Sequence, residues 1–131
     1  MNAIKKVMNI FSFPIIVFAI HLLLLFFGFY EMYEWIDIPM HFLGGFSVLN
    51  SYLKLLSIFE QNNLVGKIDK FVLFVFMISL VTLTAVLWEF GEFAIDALFN
   101  VKTQIGVSDT MGDLFFGLFG GICGFLFYKN K

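Results

Sequence analysis

The sequence predicts an all-α polytopic membrane protein, in which a bundle of four transmembrane helices forms one domain (residues 1–131). Composition, four long apolar segments and the placement of lysine all predict this fold. Of the 131 residues, 60% are hydrophobic and 14% are charged, whereas a soluble domain averages about 45–50% apolar and about 25% charged residues. Twenty phenylalanines exceed what one small aqueous core can bury, so we expect the excess to face lipid.

Four apolar segments are long enough to cross a bilayer, which takes about 20 residues in a helix. They cover approximately residues 9–30, 38–59, 71–99 and 109–128. The first follows Lys5 and Lys6, as the hydrophobic region of a signal peptide would. It is too long for a signal peptide and no small-residue cleavage site follows it, so we expect a retained helix.

Lysine placement predicts the orientation of these helices. All eight basic residues are lysines. If four helices alternate in direction, Lys102 lies on one side of the membrane and the other lysines lie opposite, at positions 5, 6, 54, 67, 70, 129 and 131. The positive-inside rule then predicts an inner-membrane protein with both termini in the cytoplasm. With so few lysines and a net charge of −2, we expect the lipid bilayer as partner and no nucleic acid.

Ionisable side chains interrupt the last three apolar segments at helical spacing. Residues three or four apart share a helix face, so each segment presents one acidic stripe. The predicted topology places all three stripes in the outer half of the bundle. The candidate metal ligands are Asp37, His41, Glu89, Glu92, Asp109 and Asp113.

These carboxylates need compensation if they lie together in a membrane. An aspartate at a helix centre costs roughly 2.5–3.5 kcal/mol, and clustered carboxylates also repel one another. Protonation, a bound cation or water would relieve this cost. One imidazole with several carboxylates suits a divalent metal ion such as Mg, Mn, Zn or Fe. The alternatives are a proton or cation relay and an acidic vestibule with ordinary helix caps.

Other polar and small residues have simpler interpretations. His21, near the middle of the first segment, fits a neutral imidazole bonded to a neighbouring helix, and a proton relay is its alternative. Asp96 is the weakest of the acidic candidates. Glycines four residues apart in the last segment permit close helix packing, and a homo-oligomer through this helix is the alternative. These glycines are Gly117, Gly120, Gly121 and Gly124.

Three short motifs resemble the YjdF-type and VanZ-like families of small bacterial membrane proteins. They are Asp37-Ile-Pro-Met-His41, Trp88-Glu89-Phe-Gly-Glu92 and Ser108-Asp109-Thr-Met-Gly-Asp113. In those families an Asp-x-x-x-His element opens one helix, a Glu element ends the next, and an element rich in Asp and Gly forms the last. VanZ-like proteins usually pair the Glu with Gln and carry an Arg before the last Asp, and this chain does neither. The resemblance implies a membrane location and the importance of the six candidate ligands, and it implies no particular reaction.

Three functions are compatible with this sequence. The first is a metal-dependent site that acts on a cell-envelope or lipid-linked substrate at the external face. The second is a transport protein that handles cations or protons. The third is an accessory membrane subunit without catalysis, whose acidic face binds a partner.

Overall fold

The computed structural model describes residues 3–99 and 103–128, and these residues contain no β-strand. Four long helices, each apolar enough to span a membrane, confirm the predicted all-α membrane fold. A short helix and a 3-10 turn (Glu34–Ile36) lie between the first two of them. In chain order the α-helices are α1 (Ala3–Phe26), α2 (Phe29–Met32), α3 (Asp37–Gln61), α4 (Lys70–Phe99) and α5 (Val107–Leu126).

The first helix differs from its predicted bounds. It begins at Ala3 and ends at Phe26, whereas residues 9–30 were predicted. Gly28 adopts a left-handed conformation with φ of 68°, which glycine accepts without a steric penalty and which ends helices. The short helix α2 follows this break. The bounds of α3, α4 and α5 lie within two residues of the predicted ones.

A proline in α1 is compensated by a serine of α3. Pro14 lies inside α1 and has no N–H group, so the carbonyl of Ile10 loses its helical donor. The Ser51 hydroxyl donates a hydrogen bond of 2.8 Å to that carbonyl. Ser51 is buried, with 2% of its surface exposed. This bond attaches α1 to α3 at a point where no water is available to replace it.

Glycines bring α5 against α3 and α4. A Cβ atom at Gly45 would collide with the Gly117 carbonyl, and one at Gly120 would collide with the Phe42 carbonyl. At Gly121 an added Cβ would lie 2.9 Å from the Val81 side chain. The predicted packing role of the α5 glycines is therefore confirmed within the chain. Self-association through α5 stays a prediction.

The well-packed core occupies one half of the bundle. It is formed by Leu49, Leu56, Leu73, Met77, Val81 and Phe125. The other half contains the end at which α3 and α5 begin and α4 ends, which we call the polar end. Large hydrophobic side chains cover the outer faces of the helices; Phe76 and Phe90 are 52% and 65% exposed. In a membrane protein these faces contact lipid.

Candidate functional site

An acidic cleft of about 830 Å³ lies at the polar end of the bundle, between α2 and the adjoining ends of α3, α4 and α5. Among the described residues no lysine lines it, and the chain has no arginine. Among the described residues the cleft therefore gathers several carboxyl groups with no lysine beside them. Its acidic lining residues are Glu31, Glu34, Asp37, Glu92, Asp109 and Asp113.

Three of the predicted ligands meet in what we call the Asp-His-Asp cluster: Asp37, His41 and Asp113. Asp37 and His41 are one turn apart at the start of α3, and the Nε2 atom of His41 lies 3.3 Å from Oδ1 of Asp37. The same Nε2 atom lies 3.6 Å from Oδ1 of Asp113 on α5. One ligand atom from each of the three residues falls within 4.8 Å of the others. The His41 and Asp113 side chains are only 11% and 7% exposed.

Two of the three distances in the Asp-His-Asp cluster are compatible with a shared metal ion. Ligand atoms about 2.0–2.2 Å from a tetrahedral ion lie about 3.3–3.6 Å from one another. The two His41–carboxylate distances, 3.3 and 3.6 Å, fall in this range and exceed the usual length of an N–H···O hydrogen bond. Three protein ligands would also leave a coordination position open, as in catalytic rather than structural sites.

A chain of polar and aromatic contacts connects α1 and α4 beside the cluster. The indole Nε1 of Trp88 donates a hydrogen bond of 2.8 Å to Oε1 of Glu92. The ring of His21 packs against Trp88 with centroids 5.2 Å apart, and its Nδ1 lies 2.7 Å from the Tyr30 hydroxyl. Burial raises the pKa of Tyr30, and the nearby Asp37 carboxylate raises it further. The hydroxyl thus stays protonated and can donate to His21.

Tyr30 was not predicted from the sequence as a partner of His21. In an unbroken helix over 9–30, residues nine apart would point in opposite directions and lie about 13.5 Å apart along the axis. The break at Gly28 folds Tyr30 back toward α1 instead. The only signal in the sequence is this glycine near the end of an apolar segment, which is a common C-terminal cap.

Glu89 lies outside the acidic cleft, although it was a candidate ligand. Its Oε2 atom accepts a hydrogen bond of 2.9 Å from the Gln104 side chain, which also donates to the Glu89 carbonyl. The other oxygen, Oε1, is buried and has no hydrogen-bond partner. The structure therefore places Glu89 apart from the Asp-His-Asp cluster, in contact with the segment that precedes α5.

Two further acidic residues bind backbone groups of that segment. Oδ2 of Asp109 accepts from the Ile105 N–H at 3.1 Å. Oδ1 of Asp96 accepts from the N–H and hydroxyl of Thr103, and its Oδ2 accepts from the N–H of Gln104. Asp96 thus fixes one wall of the cleft. Thr103 and Gln104 were not predicted from the sequence, because uncharged loop residues have no characteristic spacing.

A second, apolar cavity of about 280 Å³ lies behind the cluster. His41 lines it, whereas its partners Asp37 and Asp113 line the acidic cleft. His21 lines both cavities. The two imidazoles therefore stand at the boundary between a charged compartment and an apolar one.

Comparison with known proteins agrees with the membrane fold. Residues 3–130 match a family model described as a predicted membrane protein (DUF2238). An uncharacterized protein of Thermotoga maritima is 32% identical over 96 residues, which make up 72% of this chain and 48% of that protein. The match thus spans about half the length of this relative. No solved structure gives a significant match. This chain belongs to the DUF2238 family of predicted membrane proteins.

Proposed function

We propose that this protein binds a divalent metal ion at the Asp-His-Asp cluster and acts on a cell-envelope or lipid-linked substrate in the acidic cleft. The observation that carries the proposal is the convergence of three ligand atoms within 4.8 Å, from Asp37, His41 and Asp113. When bound, such an ion supplies a Lewis acid that polarises a phosphoryl or carbonyl oxygen of a substrate. Because the chain has no arginine and no lysine among the described residues lines the cleft, the ion would supply the positive charge that a phosphoryl group needs there.

Glu92 is the carboxylate best placed to move a proton in this cleft. It lines the cleft and stands outside the Asp-His-Asp cluster, so it stays free when the cluster holds an ion. The hydrogen bond from Trp88 fixes its Oε1 atom. A positioned carboxylate of this kind serves as a general base.

The location of the site at the external face of the inner membrane is part of this proposal. The lysine distribution supports cytoplasmic termini, which would place the polar end of the bundle outside. The motifs that resemble those of the YjdF-type and VanZ-like families include Asp37, His41 and Asp113. The resemblance to those families also supports a membrane location.

The amount of metal that the purified protein retains tests the proposal directly. Protein purified in detergent, loaded with Mn²⁺ or Zn²⁺ and washed, is expected to retain about one equivalent by elemental analysis. His41→Ala and Asp113→Asn each remove a ligand and should lower the affinity by at least the 10–100-fold typical of partners that only support ligands. Glu34→Gln is the matched control, because Glu34 lines the cleft but lies outside the cluster.

Two results would count against the metal site. In one, wild-type protein retains no more metal than the double variant His41→Ala/Asp113→Asn. In the other, Glu34→Gln loses as much metal as the cluster variants, which would indicate diffuse attraction of cations by the acidic cleft.

Proton transfer is a second candidate function, favoured by the position of the two histidines. His21 borders both cavities and His41 borders the apolar one, and imidazoles relay protons near neutral pH. In proteoliposomes with a trapped pH dye, an imposed pH gradient is expected to collapse faster with wild-type protein than with His21→Gln. Collapse no faster than in empty vesicles would remove this candidate.

A further inference from the structure

We propose that the apolar cavity binds an acyl chain of a membrane lipid, and that the head group of this lipid reaches the acidic cleft. The placement of the head group at the Asp-His-Asp cluster rests on the proposed function. The binding of the acyl chain rests on the cavity alone. The two parts therefore have separate tests.

The lining of the cavity is suited to a hydrocarbon chain. Among the described residues no carboxylate lines it. Its volume of about 280 Å³ equals that of roughly nine water molecules, each of which takes about 30 Å³ in the liquid. A stretch of acyl chain of similar volume would fill it. Apolar cavities exclude water and accept apolar ligands. The apolar side chains around it are Pro14, Val17, Phe18, Met40, Val48, Val81 and Ala85.

Side chains, and not closely packed backbones, join α1 to α4, and we infer that a lipid chain can enter the cavity between these two helices. α1 packs along α3, and α4 packs along α5 and α3, whereas the described residues of α1 and α4 make few or no close backbone contacts with each other. At the level of the cavity they meet through aromatic rings: Trp88 of α4 contacts Phe18 at 5.7 Å and His21 at 5.2 Å between centroids. These aromatic side chains can rotate and let an acyl chain pass, whereas two closely packed helices could not. Acyl chains are the molecules that surround this face.

The cavity and the acidic cleft are adjacent in the way that an amphiphile requires. His21 borders both, and His41 separates the apolar lining from Asp37 and Asp113. A lipid whose tail enters behind His41 therefore places its polar part near the cluster. A phosphate in the head group would be repelled by the carboxylates alone, so its approach depends on the proposed metal ion.

Glycine positions allow the cavity to be filled selectively. Gly44 lines the cavity, and a Cβ atom added there meets no atom within 4 Å. A Cβ atom at this position thus meets no obstacle, and we expect the leucine side chain of Gly44→Leu to occupy part of the cavity. Gly91→Leu is the matched control, because Gly91 is also free of neighbours within 4 Å, is exposed and lines neither cavity.

Fluorescence of Trp88 reports on the cavity. The chain has two tryptophans, so Trp35→Phe leaves Trp88, a lining residue, as the sole emitter. Phosphatidylcholine with brominated acyl chains, titrated into the detergent-solubilised protein, is expected to give saturable quenching that unbrominated lipid reverses. Gly44→Leu should reduce this quenching to the non-saturable background, and Gly91→Leu should retain it.

Equal saturable quenching in the two glycine variants, with both folded by thermal unfolding, would overturn the acyl-chain site. The amount of metal bound to the protein distinguishes failure of the acyl-chain site from failure of the proposed metal site. If Gly44→Leu loses the saturable quenching but still binds metal, the acyl site is distinct from the metal site. A protein that shows the saturable quenching but binds no metal supports the acyl site and overturns the proposed approach of the head group.

Discussion

Gly120→Leu is expected to unfold the bundle, because α3 and α5 could no longer approach each other. An added Cβ at this position would collide with the backbone carbonyl of Phe42. A backbone group cannot rotate away as the end of a flexible side chain can, so the helices must separate. Overpacking in a core costs about 1–3 kcal/mol, and we expect more than about 3 kcal/mol when the obstacle is the facing helix itself.

Thermal unfolding in detergent, followed by circular dichroism and by size-exclusion chromatography, measures this effect. Gly91→Leu introduces the same side chain at a helix position with no neighbour within 4 Å and should unfold close to the wild-type temperature. If Gly120→Leu unfolds at the same temperature as Gly91→Leu, the close packing of α3 on α5 is wrong. The same result would also count against the Asp-His-Asp cluster, because that cluster joins residues of α3 to Asp113 of α5.

Addition of a divalent metal is expected to stabilise the wild-type protein. A ligand that binds only the folded state stabilises that state by about 2.7 kcal/mol when its concentration is 100 times the dissociation constant. The cluster gathers its ligands from α3 and α5, so the bound ion would oppose the separation of these helices. Protons compete for imidazole and carboxylate ligands, so the stabilisation should weaken as the pH falls.

Unfolding temperature against metal concentration measures this linkage. The increase should be reversed by a chelator, absent in Asp113→Asn and present in Glu34→Gln, which removes a cleft carboxylate outside the cluster. An increase of the same size in His41→Ala/Asp113→Asn would mean that the metal binds elsewhere. This measurement does not depend on a substrate or on an activity assay.

Much of this architecture follows from periodicity and composition. Four apolar segments predict four helices, and the spacing of Asp37 and His41 places both on one face of α3. Antiparallel connection of the helices then brings Asp113 to the level of His41, as the structure shows. Side-chain chemistry and a period of 3.6 residues are sufficient for these conclusions.

The separation of Glu89 from Glu92 did not follow from their spacing. Residues three apart differ by about 60° around a helix, so the spacing rule assigns both to one face. At the edge of the cleft this angle matters: Glu92 lines the cleft, whereas Glu89 is buried, with 4% of its surface exposed. Which neighbour occupies each side of α4 is decided by tertiary packing, which a single helix pattern does not contain.

The bond between Ser51 and Ile10 bears on biogenesis. α1 leaves the ribosome well before α3, and until Ser51 arrives the Ile10 carbonyl beside Pro14 has no protein donor other than those of its own helix. An unsatisfied carbonyl in hydrocarbon costs several kcal/mol. The hydroxyl of Ser51 relieves this cost, so the release of the first span from the insertion machinery into lipid should become more favourable once the hairpin with α3 has formed. A lone hydroxyl would in this way order the steps of membrane assembly.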